Sequence, residues 1–488
     1  MESNGKRLSN YLDGEIKWGI KTGLNKAFVI DDNRKQSLVE RDPHSDNLIE
    51  PLTVGDDVRR YRLEYDDRYL IKIPSGWTRE QSNLADEESA WTWFASEYEA
   101  IADHLSEFET EARERYDQGE FWWELRPCDY YDVFDSPKLI YPEISMSPRF
   151  TIDFEGYYPN NKCFVTQTDD TYLLTLLNST LLFEIAKLYV SVLGDEDAGG
   201  RLELRTVHVE RLPIADPEPD LDAAAREKLA EDLFNRYREW VAGNSEESLI
   251  SACRTAKQGV QCQLLALLGH EMLEYHSDRD GYNIALLDYL GIPSDELPDS
   301  IASDTLNDLQ MPISGVADTP LSKTSEEFNG LRVEDVTFED DSGRLVMAVD
   351  ISYKVDDDDP RDTDRWDRLV KSEFESYEAM AFVGLSESEE TLVREFVPVA
   401  VEKAGGFAGF RQDATKTNTP LDRLKNLVLP DIDNVRGGIE QYIDVKEQAD
   451  ELDKKIEKTD YLIDEIVYEL YGLTDDEIEI VESAVQDD

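Results

Sequence analysis

The chain has 488 residues, more than the roughly 250–300 at which a single hydrophobic core stops growing, so we expect two to four domains. Its 108 acidic and 50 basic residues give a formal net charge of −58. Hydrophobic residues make up 40% of the chain, with 23 Tyr, 17 Phe and 8 Trp, which excludes a chain that is disordered throughout. Surface carboxylates bind water and cations, and molar salt screens their mutual repulsion. The charge therefore predicts a halophilic protein.

The overall charge does not exclude any class of partner. In ordinary salt it would argue against nucleic acid, but in a halophile it reflects the solvent, and only local departures from it are informative. No apolar run reaches the roughly 20 residues of a membrane helix, and the polar opening MESNGKRLSNY is unlike a signal peptide. We expect a soluble cytoplasmic protein with no membrane partner, whose four widely spaced cysteines are reduced thiols.

Residues 1–214 are rich in β and aromatic patterns, and Gly, Pro and Asn clusters separate the candidate strands. The predicted strands are Glu15–Trp18, Ala27–Ile30, Tyr69–Ile73, Lys138–Ile144, Phe150–Phe154, Cys163–Gln167 and Leu202–Val209. Apolar periodicity predicts two helices, from Arg79 to about Arg115 and from Asp170 to about Leu193. Prolines at 213, 217 and 219 then indicate a domain boundary.

The rest of the chain is mainly helical in pattern. Residues 215–291 predict a helical region, and residues 292–330 are polar with Pro and Ser, which predicts a linker. A short β pattern at 331–355 indicates a small α+β region over 331–435. Residues 436–488 predict a C-terminal helical segment, with one helix ending at Gly472 and another capped by Thr474 and Glu477. The predicted fold class is α+β.

The densest group of candidate functional residues lies in GEIKWGIKTGLNKAFVID, residues 14–31. Its glycines permit tight turns between two short strands, which would leave Lys17, Lys21, Thr22, Asn25 and Lys26 on an exposed loop. Residues 1–35 contain seven basic and five acidic side chains, a net charge of +2 in a chain of −58. Such a loop suits contact with phosphates or bases; the alternative is an ordinary glycine turn with solvated lysines.

A second candidate segment runs from residue 124 to residue 163. Basic residues alternate there with aromatic ones, a pattern that suits phosphate neutralisation together with stacking on bases. The basic residues are Arg126, Lys138, Arg149 and Lys162, and the tyrosines are Tyr130, Tyr131, Tyr141, Tyr157 and Tyr158. The alternative is a β core with tyrosines at its margins.

Taken in order, these motifs resemble the TaqI-like specificity domain. The resemblance begins with GIKTGLNKAFVI at 19–30 and continues with RD at 41–42, LIEP at 48–51 and GDDVRRY at 55–61. It goes on with YY at 130–131, PKLIYPEI at 137–144, NNK at 160–162 and LLNS at 176–179, and closes with GG at 199–200 and LPI at 212–214. The terminal LD at 452–453, ID at 463–464 and VYELYGLT at 467–474 resemble the end of the same enzymes. It covers residues 1–214 well and about 440–488 less closely.

This family forms the target-recognition half of adenine-specific DNA methyltransferases and of fused type IIG restriction–modification enzymes. The resemblance implies that residues 1–214 are a β-rich target-recognition domain with inserted helices, which binds duplex DNA while a catalytic domain acts on an adenine. The mostly helical regions with their small β element would follow it. We expect DNA contacts from Lys17, Lys21, Thr22, Asn25 and Lys26, and secondary contacts from Arg59, Arg60, Arg126, Arg149, Asn161 and Lys162.

Enzymes of this family also contain a methyltransferase domain, with a glycine-rich cofactor loop and an (Asn/Asp)-Pro-Pro-(Tyr/Phe) motif. The sequence contains no Pro-Pro dipeptide, and its one glycine-rich run, at 405–409, lacks a preceding βαβ pattern. We therefore expect no catalytic residue, cofactor or metal in this chain and no activity from the chain alone. S-adenosylmethionine, and Mg²⁺ if a nuclease is present, would be bound by a partner or an upstream domain.

Three hypotheses remain open from the sequence. The chain is a specificity subunit that positions a catalytic partner, or an obligate half of a split methyltransferase or restriction enzyme, or an inactive remnant of one. A nuclease site is not indicated, because Asp340, Asp341, Asp350 and Lys354 on the predicted hairpin lack the usual Asp/Glu-x-Lys spacing. His270 and His276 lie six residues apart, which places them on different faces of a helix.

Overall fold

A computed structural model describes residues 5–193, 201–218, 221–243, 247–293, 295–356, 369–371 and 375–486. The chain divides into two compact units, the first formed by Met1–Asp280 with Leu452–Asp488 and the second by Gly281–Glu451. Both units combine helices with small sheets, which confirms the predicted α+β fold class.

Fifteen strands are described in the first unit. They are β1 (Gly5–Arg7), β2 (Lys17–Trp18), β3 (Val29–Asp31), β4 (Ile49–Thr53), β5 (Val58–Arg59), β6 (Arg62–Leu63), β7 (Arg68–Ile71), β8 (Lys138–Pro142), β9 (Ile144–Ser145), β10 (Thr151–Asp153), β11 (Tyr158–Pro159), β12 (Cys163–Gln167), β13 (Ser191–Leu193), β14 (Arg201–Glu203) and β15 (Pro213–Ala215). The two four-stranded sheets have the orders β10-β8-β12-β2 and β11-β4-β7-β3, and β13-β14-β9, β1-β15 and β5-β6 form smaller sheets.

The helices of residues 5–280 lie between and after these strands. They are α1 (Leu8–Tyr11), α2 (Asn25–Phe28), α3 (Asp32–Arg41), α4 (Trp77–Ser82), α5 (Glu87–Glu97), α6 (Glu99–Ser106), α7 (Glu109–Glu114), α8 (Tyr131–Phe134), α9 (Thr171–Asn178), α10 (Thr180–Lys187), α11 (Thr206–Val209), α12 (Ala223–Val241), α13 (Glu247–Arg254) and α14 (Gln258–Asp280). Short 3₁₀ turns occupy Pro43–Leu48 and Gly55–Asp57.

The sheet β10-β8-β12-β2 is buried on both faces. Side chains alternate between the two faces along a strand, so Phe164 of β12 packs in one hydrophobic core while Val165 packs in another. In β8, Tyr141 and Ile140 divide between the same two cores. The sheet therefore packs between two hydrophobic cores, which fixes the positions of the loops at its ends.

The predicted helical region 215–291 is not separate from residues 1–214, because α14 packs against α9 in the same core. Gly269 of α14 makes this approach possible, since a Cβ there would stand 2.1 Å from Thr175 Oγ1. The first unit thus ends near residue 280, and α9 and α14 share the burial of their apolar faces.

The second unit contains β16 (Ala302–Thr305), β17 (Met311–Pro312), β18 (Arg332–Asp341), β19 (Arg344–Ser352), β20 (Lys354–Asp356), β21 (Leu369–Lys371), β22 (Glu375–Phe382) and β23 (Val428–Pro430). Its helices are α15 (Leu286–Leu290), α16 (Leu306–Leu309), α17 (Glu387–Lys403) and α18 (Pro420–Lys425), with 3₁₀ turns at Val316–Asp318, Pro320–Ser322 and Phe407–Gly409. The main sheet has the order β17-β22-β19-β18. Two final helices follow, α19 (Ile432–Tyr471) and α20 (Asp475–Gln486), and α19 belongs to the first unit from Leu452 onward.

The predicted linker at 292–330 is folded, which corrects that expectation. Its few apolar residues are spaced so that Leu306 and Leu321 are fully buried in the core of the second unit. A polar composition concealed this packing, because two leucines are enough to fix a short segment when both lie against an existing core.

Several predicted elements are shorter than expected. The helix predicted over Arg79–Arg115 is four helices, α4 to α7, and the helix predicted from Asp170 is broken at Ser179, whose side chain caps α10. The strand predicted over Leu202–Val209 turns into α11 after Glu203. The C-terminal helices and their capping pair are confirmed, since Thr474 N donates to Glu477 Oε2 at 2.9 Å.

No helix in the described part of the chain is long and apolar enough to cross a membrane. The Gly199-Gly200 motif lies outside the described residues.

Candidate nucleic-acid interface

The two candidate segments predicted from the sequence lie against each other. Ile20 forms a parallel bridge with Asn160, and the amide of Ile20 donates to the carbonyl of Pro159 at 2.7 Å. Gly19 packs so closely that a Cβ on it would stand 2.0 Å from the carbonyl oxygen of Asn160. The glycine loop and the loop around Asn160 are therefore one rigid surface, and only glycine fits at position 19.

Lys21 and Arg126 form a basic cluster around one carboxylate, and Lys17 lies beside Tyr130 of the second candidate segment. Lys21 Nζ lies 2.9 Å and Arg126 Nη1 3.8 Å from the largely buried Asp117. Lys17 Nζ lies 5.6 Å from the ring centre of Tyr130 and pairs with Glu15 at 2.5 Å. The structure thus brings residues of both predicted segments together, and neighbouring carboxylates partly neutralise them.

Thr22 was expected on an exposed loop but is buried. Its hydroxyl donates to Asn25 Oδ1 at 2.6 Å and accepts from the amide of Leu24 at 3.2 Å. These bonds close the loop before α2 and leave the hydroxyl no solvent-facing role. Thr22 therefore shapes the loop, while Asn25 remains exposed beside it.

The buried side chain of Arg115 stabilises this loop, a role that the sequence did not predict. Its guanidinium donates to the carbonyl of Thr22 at 2.6 Å and to that of Trp122 at 3.0 Å, and it lies 4.3 Å from the ring centre of Phe28. Burial lowers the pKa of Arg115 to about 10. It is still charged at neutral pH, so it fixes the loop backbone with charge-assisted hydrogen bonds. No sequence motif marks such a contact, because its acceptors are backbone carbonyls.

Lys26 lies apart from the basic cluster. It points toward α7, where it pairs with Glu111 and lies 5.8 Å from the ring centre of Phe108. The net charge of +2 over residues 1–35 is neutralised in the same way, since Arg34 pairs with Glu107 and Lys35 with Asp46. The local charge reversal seen in the sequence is therefore not a bare basic surface.

A groove of about 370 Å³ lies at the junction of the loop before β5, the end of β8 and the loop before β12. Lys162 lines it, 61% exposed at its side chain, and pairs with Glu143 at 2.8 Å. Backbone bonds fix these walls, because the amide of Glu143 donates to the carbonyl of Lys162 at 2.7 Å and that of Asn160 to Thr53 at 2.8 Å. The groove is therefore lined, in fixed positions, by the ammonium group of Lys162, the side-chain amide of Asn160 and the carboxylates of Asp56 and Glu143.

Arg59 and Arg60 are adjacent in sequence but point in different directions. Arg59 stays near the groove, where it pairs with Glu64 at 2.7 Å and donates to the carbonyl of Asp56. Arg60 turns into the unit, donates to the carbonyl of Asn178 at 2.8 Å and pairs with Asp460 at 2.5 Å. Its guanidinium therefore binds Asp460 of α19, whereas the sequence predicted that Arg60 would contact DNA at the surface.

Arg149 and Asn161 have no hydrogen-bond or ion-pair partner among the residues the structure describes. Asn161 is exposed next to Lys162, and Arg149 is half-buried two residues before β10. Among the residues expected to contact DNA, Arg149 and Asn161 therefore have side-chain polar groups that form no hydrogen bond or ion pair with the described residues.

The predicted aromatic residues are mostly structural. Tyr141 and Tyr158 are buried, and Tyr130, Tyr131 and Tyr157 are half-buried. Lys138 is also fully buried, where it donates to Asp153 at 2.5 Å and to the carbonyl of Phe134 at 2.6 Å. Burial lowers the pKa of Lys138, against the effect of Asp153.

The exposed aromatic side chains are ones that the sequence analysis did not select. Among the described residues they are Trp18, Tyr116, Phe154 and Tyr461, with exposed fractions of 59%, 98%, 54% and 51%. Trp18 lies in the edge strand β2, next to Lys17, with its ring centre 6.2 Å from that of Phe164. Alternation of polar and apolar residues along a strand can predict which side chains face solvent. The strand β2 has only two residues, which is too short for such a pattern to predict that Trp18 is exposed.

No group of three or more His, Cys, Asp or Glu side chains in the described ranges is arranged to hold a metal ion. On the β18–β19 hairpin, Asp340 pairs with Arg394 and Asp341 with Arg344, whereas Asp350 lines a separate acidic groove. His276 is half-buried and stacks on Tyr61 at 5.6 Å between ring centres. The exposed His270 pairs with Glu274 instead, so the two histidines do face different surroundings.

Residues 50–214 match the family described as the TaqI-like C-terminal specificity domain. The prediction of this domain is confirmed, with a match that begins at residue 50 rather than residue 1. The glycine loop precedes the matched range, but β2 and β3 on either side of it are hydrogen-bonded to β12 and β7 of that range.

The chain is similar to the type II methyltransferase M.BstVI of Geobacillus stearothermophilus, with 19% identity over 227 residues that cover 46% of this chain and 37% of that protein. Among solved structures it is similar to the type IIL restriction–modification enzyme MmeI in complex with DNA, with 13% identity and a TM-score of 0.26. That match covers 53% of this chain and 32% of the other. The chain therefore spans about a third of the length of each of these relatives.

Proposed function

We propose that this chain, through its TaqI-like specificity domain, is the DNA target-recognition part of an adenine-specific DNA methyltransferase or a type IIG restriction–modification enzyme. The match of residues 50–214 to that domain carries the proposal. The chain would bind duplex DNA and position a catalytic domain over an adenine, and S-adenosylmethionine would be bound by that catalytic domain.

The surface described above supports contacts of two kinds. Lys17, Lys21 and Arg126 are cationic side chains on or next to the glycine loop, which suits them to phosphate oxygens. The amide of Asn161 and the guanidinium of Arg149 have no partner among the described residues, and such groups form paired hydrogen bonds with adenine and guanine edges in the major groove. Rigid backbone around Gly19 and Asn160 supplies the accurate placement that base contacts require.

The neighbouring carboxylates define the conditions under which DNA binds. A phosphate approaching Lys21 also approaches Asp117, and one approaching Lys162 also approaches Glu143. Molar salt screens this repulsion, because the Debye length is then about 3 Å, whereas direct hydrogen bonds act at contact distance. We therefore expect specific binding to persist at salt concentrations that suppress non-specific binding by ordinary basic proteins.

The test is a selection of random duplex DNA on the purified chain in molar KCl. Enrichment of one motif that contains an adenine is the expected result, and the change Asn161→Ala should relax the preference at one or two positions of that motif. The double change Lys21→Ala with Arg126→Ala should weaken binding to all sequences. Lys416→Ala is the matched control, since Lys416 is an exposed, ion-paired lysine of the second unit.

Failure of the folded chain to enrich any motif would contradict a free-standing recognition subunit. The selection is then repeated in the presence of a chain that carries an Asn-Pro-Pro-Tyr-type motif. Enrichment only in that mixture would identify an obligate half-enzyme, and no enrichment in either experiment would leave an inactive remnant.

A further inference from the structure

Arg7 and Arg211 are two arginines that have no carboxylate partner among the described residues and that line the same cavity. Of the seven basic residues in 1–35, six pair with carboxylates, and only Arg7 has no carboxylate partner among the described residues. Arg211, far from it in sequence, also has none. Both are exposed and line the same cavity, of about 180 Å³.

The cavity has a composition that is unusual for this protein. Its five lining residues are Gly5, Arg7, Tyr189, Arg211 and Pro213, none of which carries a carboxylate. The grooves at Lys162 and at Asp350 each contain at least two carboxylates. In a chain with 108 acidic residues, two unpaired guanidinium groups facing one cavity without an acid form a positively charged site.

The backbone holds both arginines in place. Arg7 lies opposite Pro213 in the antiparallel pair of β1 and β15. Next to this pair, the amide of Leu8 donates to the carbonyl of Leu212 at 2.8 Å, and the amide of Arg211 donates to the carbonyl of His208 at 3.0 Å. The guanidinium carbon of Arg211 lies 4.4 Å from the ring centre of Tyr189. This contact orients the planar group and leaves its N–H donors available to a ligand.

We infer that this cavity, formed by Arg7, Arg211 and Tyr189, is a binding site for a phosphate group. Two guanidinium groups can each donate two hydrogen bonds to phosphate oxygens, a geometry that a single-point ammonium lacks. The cavity volume is more than ten times the roughly 10–15 Å³ that holds one water, so a phosphate group fits with several waters. Hydrogen bonds at contact distance persist in molar salt, which would screen an isolated surface charge.

The phosphate has two possible sources, the backbone of duplex DNA and a free phosphate or nucleotide. The DNA source rests on the proposed function, and it would extend the interface beyond the residues selected from the sequence. The free source does not depend on that function. The chemistry of the site is the same in both cases.

The test measures phosphate and DNA binding by the full chain and its variants. Isothermal titration with potassium phosphate in a KCl solution free of other phosphate compares the wild type with Arg7→Gln, Arg211→Gln and Arg211→Lys. Arg205→Gln is the matched control, because Arg205 is a nearby exposed arginine that pairs with Glu203 at 2.6 Å. We expect each Gln variant to bind phosphate at least about tenfold more weakly, the Lys variant to be intermediate and the control to be unchanged.

Fluorescence anisotropy with the selected duplex identifies the source. A parallel loss of DNA affinity in both Gln variants, but not in Arg205→Gln, assigns the site to a DNA phosphate. Unchanged DNA affinity with lost phosphate binding assigns it to a free phosphate. If no variant binds DNA but phosphate binding still separates the variants, the proposed function fails and this site stands. If neither phosphate nor DNA binding separates Arg7→Gln and Arg211→Gln from the control, the site is overturned.

Discussion

Two residues of the first unit show how a single position can fix the candidate interface. Gly19 is required because the backbone of Pro159 and Asn160 occupies the space a Cβ would need. Lys138 is required for a different reason, since it forms a fully buried ion pair with Asp153, which also accepts from the amides of Glu155 and Tyr157 at 2.8 Å. Neither residue is on the surface that would contact DNA, yet both position it.

Replacing Gly19 with alanine should destabilise the first unit and displace the glycine loop. The added Cβ would stand 2.0 Å from the carbonyl oxygen of Asn160, and overpacking of this kind costs about 1–3 kcal/mol in the free energy of unfolding. Gly14→Ala, in the segment that precedes β2, is the control, because nothing lies within 4 Å of the position of its Cβ. Denaturant unfolding of both variants in molar KCl makes the measurement, and equal stabilities would contradict the packing argument.

Replacing Asp153 with alanine should destabilise the domain by about 3–5 kcal/mol, because it leaves the buried charge of Lys138 without a partner. Glu143→Ala removes the partner of Lys162, whose side chain is 61% exposed, and should change the free energy of unfolding by no more than about 1 kcal/mol. Thermal unfolding of the two variants tests this difference. A loss in Asp153→Ala as small as that in Glu143→Ala would mean that water reaches Lys138.

At the scale of elements, the last part of α19 completes the core of the first unit although it is distant in sequence. Asp464 accepts from the amide and the hydroxyl of Thr180, at 3.0 and 2.6 Å, at the start of α10. Asp460 holds Arg60, and the hydroxyl of Tyr471 donates to the carbonyl of Pro213 at 2.6 Å. The helical C-terminus was predicted from its pattern, but its attachment to α10 and β15 was not, because pairing partners several hundred residues apart leave no local signal.

The contact of Asp464 should make stability depend on pH. Burial raises the pKa of Asp464 to about 6, against the opposing effects of Thr180 and Arg60, whereas an unfolded chain has an Asp pKa of about 4. The folded state therefore holds the proton more tightly, and this group's contribution is full below about pH 4 and is lost as the pH rises through about 6. The difference of about two pKa units corresponds to about 3 kcal/mol.

The variant Asp464→Asn isolates this contribution, since an asparagine keeps both an acceptor and a donor for Thr180. The stability of the variant relative to the wild type should increase between about pH 4 and pH 6 and stay constant above that range. Asp453→Asn, at an exposed acid of the same helix that pairs with Arg279, is the control. Denaturant unfolding across this pH range makes the comparison, and a stability difference that does not vary with pH would contradict a raised pKa.

His276 affects the pH dependence of stability in the opposite direction, because burial lowers its pKa to about 4. Because His276 is present in both the wild type and the variant, its contribution largely cancels in the difference between their stabilities.

At the scale of the whole molecule, charge is the dominant property. Of the eight basic residues expected to contact DNA, all except Arg149 pair with a carboxylate among the described residues. The excess of 58 negative charges is spread over both units. Like charges at this density repel one another and oppose the compact state in dilute buffer. Most basic residues of the candidate interface are therefore members of ion pairs, whose carboxylates reduce the local positive charge.

Raising KCl from about 0.1 M to about 2 M should stabilise the folded chain, because the Debye length falls from about 10 Å to below about 3 Å and the carboxylate repulsion is screened. We expect the midpoint of thermal unfolding to increase steadily over this range. A protein of ordinary net charge, measured in parallel, gives the effect of KCl on apolar burial alone. An equal change in both proteins would contradict a halophilic adaptation of this chain.

The sequence by itself determined the fold class, the specificity domain, the two candidate segments and the C-terminal helices. These depend on local patterns, such as the spacing of apolar residues in α19 or the Thr474 and Glu477 cap, and local patterns are written in consecutive residues. Ordered short motifs identified the domain for the same reason.

Only the tertiary structure decided which candidate residues are available for binding. It buried Thr22 and Lys138, turned Arg60 toward α19, and placed a carboxylate beside Lys17, Lys21 and Lys162. It also folded the supposed linker and left Arg7 and Arg211 unpaired at one cavity. The physical reason is that the partner of a charged group is set by contacts between distant segments, here as far apart as Arg60 and Asp460, and no spacing along the chain records them.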